Sequence, residues 1–197
     1  IAWRLDEEDL KVAFAFLLSM PGAPFIYYGD EIGMRYLAGL TSVEGGFNRT
    51  GSRTPMQWDD GVNAGFSSAA KEKLYICQDE SADRPTVQNQ QAREDSLYHE
   101  IKKLIAIRQA HPALLSRGEI AFVYVRENAY PFAYLRSAGE GKDGEKILVV
   151  LNPSGREESF PCDLKTGEII YRFGGELKTQ DGQMTIPACS AVWVKVE

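Results

Sequence analysis

Pro21-Gly22-Ala23-Pro24-Phe25-Ile26-Tyr27-Tyr28-Gly29-Asp30-Glu31-Ile32-Gly33-Met34 is the stretch on which the fold reading turns. Pro21-Gly22 ends whatever helix precedes it. Phe25 to Tyr28 is short, continuous and apolar, not alternating, which predicts a strand buried on both faces, as in a parallel sheet. Asp30 and Glu31 sit at its C-terminal end. Neighbours on an extended strand point to opposite faces, so these two carboxylates serve one reacting bond only if the strand has ended before them. Their plain reading is as caps on a neighbouring loop; their functional reading is as groups at the mouth of an α/β fold.

Working outward, residues 6–20 predict a helix. Asp6 to Asp9 place negative charge at its start, where the helix dipole favours it, and Val12 to Met20 are apolar on most sides, as in a buried helix. Helix, turn, strand and acidic tip is the rhythm of a barrel or a doubly wound α/β fold. Residues 33–95 read as one long polar connection, of the kind that is usually functional or a lid. Its aromatic islands Phe47, Trp58, Phe66 and Tyr75 predict that it packs. A second helix is expected over 96–110, with Leu97, Ile101, Leu104, Ile105 and Arg108 in one stripe and His111-Pro112 ending it.

From Gly118 the hydrophobic period drops to two. Strands are expected at 120–126, 132–136, 146–152, 157–160, 168–173, 183–186 and 191–196. Turn-forming links separate them at Glu127-Asn128, at 139–144 and at Asp181-Gly182. That spacing reads as an antiparallel β-sandwich. The expected domains are 1–116 and 117–197.

Composition narrows the function classes. The chain has 197 residues and a formal net charge of −6, which argues against a general nucleic-acid binder. No apolar run reaches the roughly 20 residues of a membrane-spanning helix. Cys77, Cys162 and Cys189 are far apart and odd in number, against a disulfide scaffold or a zinc ribbon. With only His99 and His111, no metal site and no His-centred triad is expected. The scattered thiols point to the cytoplasm. No cofactor is expected.

The second informative segment is Arg53-Thr54-Pro55-Met56-Gln57-Trp58-Asp59, with Arg49 four residues before it and Asn63-Ala64-Gly65-Phe66-Ser67 after it. Guanidinium forks and amides hydrogen-bond the oxygens of polyols and carboxylates. The same residues could equally tie down a long loop.

Together the two segments resemble the α-amylase family, glycoside hydrolase family 13. The first resembles its eighth-strand segment. The second resembles a segment typical of the α-glucosidase, oligo-1,6-glucosidase and trehalose-synthase branches. The helix ending in His111-Pro112-Ala113-Leu114 resembles the last barrel helix, and the strands behind it the family's C-terminal β-domain. The resemblance implies a fold class of α/β plus β: the last α/β segment of a (β/α)8 barrel, then an antiparallel β-sandwich. A whole barrel takes roughly 250 residues, so this chain resembles a C-terminal fragment.

The family reaction retains anomeric configuration through two carboxyl groups roughly 5–5.5 Å apart. The family's catalytic acids lie on earlier strands and none matches a position here, so no catalytic residue is assigned. Arg49 matches an arginine that holds the terminal glucose, and is the expected substrate-binding residue. Asp30, Glu31, Arg53, Gln57, Trp58 and Asp59 are expected to support the motif. The implied partners are an α-glucan or oligosaccharide substrate and the remainder of the barrel, with no nucleic acid or membrane. A strand at 25–28 without parallel neighbours leaves unpaired edges, so the fragment alone is expected to be inactive. The alternative is a non-catalytic carbohydrate-binding or interaction protein of the same fold family.

Overall fold

The computed structural model describes residues 5–139 and 144–197, and its contacts group into two compact units. Among the described residues, one gathers residues 5–10 and 26–100, the other 11–25, 101–139 and 144–197. The link expected at 139–144 lies largely outside the described residues.

Helix α1 is Glu7–Ser19. Its start is fixed by Asp6, whose Oδ1 accepts the Asp9 N–H at 2.9 Å, satisfying one of the orphan donors of a first turn. Leu10, Val12, Phe14, Ala15 and Leu18 are buried, while Phe16 remains 40% exposed.

In the second unit, strands β1 (Glu119–Tyr124), β2 (Phe132–Ala138), β3 (Glu145–Asn152), β4 (Glu158–Pro161), β5 (Thr166–Phe173), β6 (Lys178–Gln180), β7 (Gln183–Ile186) and β8 (Ser190–Val196) form two antiparallel sheets. The larger has the order β1-β2-β3-β8-β5 and the smaller β4-β7-β6. Ala133, Leu148, Val150, Val192 and Val194 meet Phe160, Cys162, Met184 and Ile186 in one core. Each fully buried branched or aromatic side chain there contributes about 1.5–3 kcal/mol. On the other face of the larger sheet, Tyr134, Ile147, Val149, Tyr171 and Trp193 are also buried. Residues 147–152 are therefore buried at every position, which explains why that strand reads as an unbroken apolar run. Strand β6 escapes the sequence pattern because Lys178-Thr179-Gln180 is polar and exposed throughout. Asp181 (φ 49°) and Gly182 (φ 74°) close its two-residue hairpin to β7.

Two buried arginines organise this unit. Arg108 donates to the carbonyls of Leu18, Met20 and Gly22 at 2.7, 2.8 and 2.7 Å. These include carbonyls at the end of α1, which have no helical partner. Arg136 donates to the carbonyls of Ser19, Leu115, Gly118 and Glu119. Burial lowers the pKa of both.

In the segment after α1 one expectation fails. Residues 24–27 form no strand and take up irregular backbone, with Phe25 82% exposed. A strand exists only through ladder hydrogen bonds to a neighbour, and among the described residues none pairs with this segment. A second correction concerns residues 33–95. Phe47, Trp58, Phe66 and Tyr75 are each about half exposed, so aromatic packing does not hold this connection. Buried Ile32, Met56, Ala64 and Ile76 do, with a dense set of local hydrogen bonds. It also contains a helix the pattern did not reveal, α2 (Val87–Ala92). Six residues, four of them polar, are too few to show a hydrophobic period, but Thr86 and Asn89 form a reciprocal capping box, and their spacing was its one available signal. The other long helix, α3 (Leu97–Ala110), runs as expected, with Leu97, Ile101, Leu104 and Arg108 buried.

Candidate functional site

The residues singled out in the sequence fall into three local arrangements within the first unit. The Asp30-Glu31 pair lies in a single 3-10 turn, Asp30–Ile32, so the extended strand has ended and the opposite-face argument does not apply. Asp30 Oδ2 accepts the Tyr27 N–H at 3.1 Å and braces the turn. Glu31 is half-buried, and its Oε2 is buried without a hydrogen-bond partner among the described residues.

Arg49 precedes a 3-10 turn, Thr50–Ser52, that fixes its backbone closely. Its carbonyl accepts the Ser52 N–H at 3.2 Å and the Ser52 hydroxyl at 2.9 Å. Thr50 and Phe47 exchange two bonds, Thr50 N–H to the Phe47 carbonyl at 2.9 Å and Phe47 N–H to Thr50 Oγ1 at 3.0 Å. Gly51 sits directly on Leu37: a Cβ at 51 would lie 2.0 Å from the Leu37 carbonyl oxygen, so no side chain fits there. The backbone is thus immobilised while the side chain points out. The Arg49 guanidinium covers the Phe47 ring, 4.7 Å from its centroid, an arrangement that restrains a cation without neutralising it. Arg49 and Arg53 line one small cavity of about 60 Å³ together with Glu44, Phe47 and Tyr75. At about 30 Å³ per water that is space for two waters, not for a sugar ring. Both guanidiniums are exposed and, among the described residues, neither has an ion pair. The arrangement is one side of a clamp, with donors carried on a fixed backbone. Tyr28, whose hydroxyl donates to the Thr54 carbonyl at 3.1 Å, is held above the ordinary phenol range by burial and by Tyr27, with Arg53 acting in the opposite sense.

Gln57, Trp58 and Asp59 do structural work. Gln57 is buried, and its amide donates to the Pro85 carbonyl. The Gln57 and Trp58 carbonyls accept the Val87 and Gln88 N–H groups, both at 2.9 Å, satisfying orphan donors at the start of α2. Trp58 and Asp59 both donate backbone N–H to the Ala64 carbonyl, at 2.8 and 3.3 Å. Asn63, Ala64 and Gly65 are all left-handed, with φ of 49°, 50° and 70°. Asp59 Oδ1 accepts the Gly61 N–H at 2.7 Å, and a Cβ at Gly65 would meet the same carboxylate at 2.6–2.8 Å. A left-handed alanine costs of order 1 kcal/mol or more; it persists because Asn63 Nδ2, donating to the Ser67 and Ala69 carbonyls at 2.8 Å each, fixes the turn.

Sequence reading did not find the polar cluster around Gln78, Asp79 and Arg84 in the same unit. No recognised motif marks it, although its three residues lie within seven positions of one another.

Comparison with known proteins places these arrangements. Residues 2–118 match the sequence model described as alpha amylase, catalytic domain. The chain belongs to the α-amylase family. Among curated relatives of this α-amylase-family chain, the trehalose synthase/amylase TreS of Mycobacterium tuberculosis is 34% identical over 165 residues, covering 81% of the chain and 26% of TreS. The human amino acid transporter heavy chain SLC3A1 is 34% identical over 151 residues, covering 76% of the chain and 21% of that protein. The crystal structure of the trehalulose synthase MutB from Pseudomonas mesoacidophila MX-45 superposes with a TM-score of 0.79 at 26% identity, covering 97% of the chain and 38% of MutB. The chain therefore spans about a quarter of the length of TreS.

Proposed function

We propose that this chain is the C-terminal part of a retaining enzyme acting on the α-glucosidic bonds of maltodextrins or short α-glucosides, by hydrolysis or glycosyl transfer. The observation that carries the reading is the family match over 2–118 combined with the small share of TreS and MutB that the chain spans. In this reading residues 1–116 complete a (β/α)8 barrel and 117–197 form its C-terminal β-domain. The remainder of the barrel is the partner that supplies the nucleophile and the acid/base. It also supplies the neighbours that Phe25–Tyr28 lacks here.

Arg49 holds the sugar. Its immobilised backbone, its outward guanidinium and the absence of an ion pair to it among the described residues support that role. A fork of this kind gives two charge-assisted bonds to adjacent hydroxyls. Arg53 flanks it; Gln57, Trp58 and Asp59 keep the loop in shape; Asp30 and Glu31 shape the turn after the eighth-strand segment. The cytoplasm is the proposed compartment. Among the described residues no helix is long and apolar enough to cross a membrane.

The test is turnover of a p-nitrophenyl α-glucoside and of maltose by the full-length protein. Arg49→Ala is expected to lower kcat/KM by about 10- to 100-fold, the worth of one charged hydrogen-bonding group. Residues 1–197 alone are expected to show no turnover. Unchanged turnover in the variant removes Arg49 from the pocket.

A second reading has its own support. The similarity to a transporter heavy chain favours a non-catalytic interaction protein of the same fold. Absence of turnover by a folded full-length protein across α-glucosides would select it.

A further inference from the structure

Tyr75 lines the same small cavity as Arg49 and Arg53, together with Glu44 and Phe47. It is 52% exposed. Among the described residues its side chain has no hydrogen bond and no ring contact. Its backbone, by contrast, is tied down. The Tyr75 carbonyl accepts the Val43 N–H at 3.3 Å. Val43 sits in a tight hairpin in which Ser42 and Gly45 exchange backbone bonds at 3.0 and 2.9 Å. Ser42 Oγ accepts the Glu44 N–H at 3.3 Å, which fixes the hairpin tip. The next residue, Ile76, is buried and anchors the segment from below. Phe47 is the other aromatic residue of the lining, and the Arg49 guanidinium already covers it at 4.7 Å. Tyr75 is therefore the ring left open beside the two arginines.

A pyranose ring presents two unlike surfaces, a face of C–H groups and a rim of hydroxyls. An aromatic ring takes the C–H face through apolar burial and dispersion. Guanidinium forks donate to the rim, and a carboxylate accepts from it. Tyrosine serves both surfaces, having an apolar body and a hydroxyl at its tip. The cavity itself is too small for a sugar, so a ring lies across its mouth, against Tyr75. A purely apolar group there would strand two guanidiniums and the Glu44 carboxylate. A small anion would leave the open ring unused and would meet Glu44. A second sugar uses all of these groups.

We propose that Tyr75 is a specificity-determining residue, the stacking platform for the sugar unit joined to the one that Arg49 holds. The site then selects α-glucosides whose aglycone is itself a sugar over simple alkyl glucosides. Arg53 donates to hydroxyls of this second unit, and Glu44 accepts from one of its O–H groups. The inference rests on the reading of Arg49 as the residue that holds the first sugar.

The experiment is kinetics of the full-length protein on methyl α-glucoside and on maltose, in the wild type and in Tyr75→Ala, Tyr75→Phe and Arg49→Ala. Tyr75→Ala is expected to lower kcat/KM for maltose about tenfold more than for methyl α-glucoside, in line with the loss of one well-packed aromatic contact. The loss should fall mainly on KM, as removal of a ground-state contact does. Tyr75→Phe keeps the ring and is expected to cost only about threefold on maltose, the effect of one neutral hydrogen bond. Arg49→Ala is expected to lower both substrates alike. Equal effects of Tyr75→Ala on the two substrates overturn the stacking role; if Arg49→Ala still lowers both, the clamp survives that failure. Arg49→Ala without effect on either substrate removes the clamp and this inference with it. Should Tyr75→Ala fail to fold, Tyr75→Leu, bulky but without a ring, is read by the same ratio. Should the full-length protein turn over neither substrate, calorimetric titration with glucose and maltose decides. A preference for maltose that is present in the wild type and lost in Tyr75→Ala supports the stacking role; the same preference in both, or none in the wild type, overturns it.

Discussion

The Trp58 carbonyl accepts the Gln88 backbone N–H at 2.9 Å, so the motif that carries the family resemblance also caps a helix thirty residues downstream in the chain. The neighbouring Gln57 carbonyl does the same for Val87, while the Gln57 side chain donates to the Pro85 carbonyl. Gln57 is thus a buried structural amide. Gln57→Ala is expected to leave the Pro85 carbonyl without this donor and to cost about 1–3 kcal/mol. A urea titration followed by circular dichroism measures it, and a shift in midpoint at unchanged slope is the expected form.

Arg108 closes the end of α1 through three carbonyls, and each loses its donor in Arg108→Met. The substitution is expected to destabilise by about 3 kcal/mol or more, since several buried acceptors are orphaned together. Thermal unfolding should show it. Arg108→Lys recovers only part of the loss, because one ammonium cannot span the three positions the planar fork reaches.

Tyr134 is fully buried, and its hydroxyl lies 2.5 Å from the Ser19 hydroxyl. Burial holds its phenol well above the ordinary tyrosine range; the Ser19 contact and Arg136 pull the other way. A pKa raised in the folded state contributes stability that is fully present below the unfolded value, about 10, and is lost as pH rises beyond it. Stability is therefore expected to fall on the alkaline side as unfolded molecules ionise and folded ones do not. Tyr134→Phe should flatten that slope in unfolding measurements run from neutral to alkaline pH.

Arg35 grips Asp83 with both forks, Nη1 to Oδ1 at 3.0 Å and Nη2 to Oδ2 at 2.8 Å. That hydrogen bonding, and then the charge, hold the Asp83 carboxyl below the usual aspartate range. A depressed pKa contributes stability above the unfolded value and loses it as pH falls through the folded one. The pair is exposed, so the stability effect is small. The titration itself is the measurement: carboxyl NMR should place Asp83 low in the wild type and return it to the ordinary range in Arg35→Met.

Much of the β-rich half was legible because its signals are local. The β-branched and aromatic content of β1 and β2, the Asp181-Gly182 hairpin and the apolar run of β3 each follow from a few adjacent residues. Strand β6 and helix α2 were not, being too short and too polar to carry a period. Phe25 to Tyr28 misled for a different reason. Its apolar run specifies burial, and burial needs neighbours that the described residues do not provide.

The sequence by itself determined the two long helices, the antiparallel β-rich domain and the family, because periodicity and long ordered motifs are properties of the chain. Only the tertiary structure decided what the motif residues do. It separated Arg49, exposed beside Phe47, from Gln57, buried against Pro85, and it gathered Gln78, Asp79 and Arg84 around one cavity. Exposure and partnership are set by which distant segments fold back on a residue, and no spacing along the chain encodes that directly.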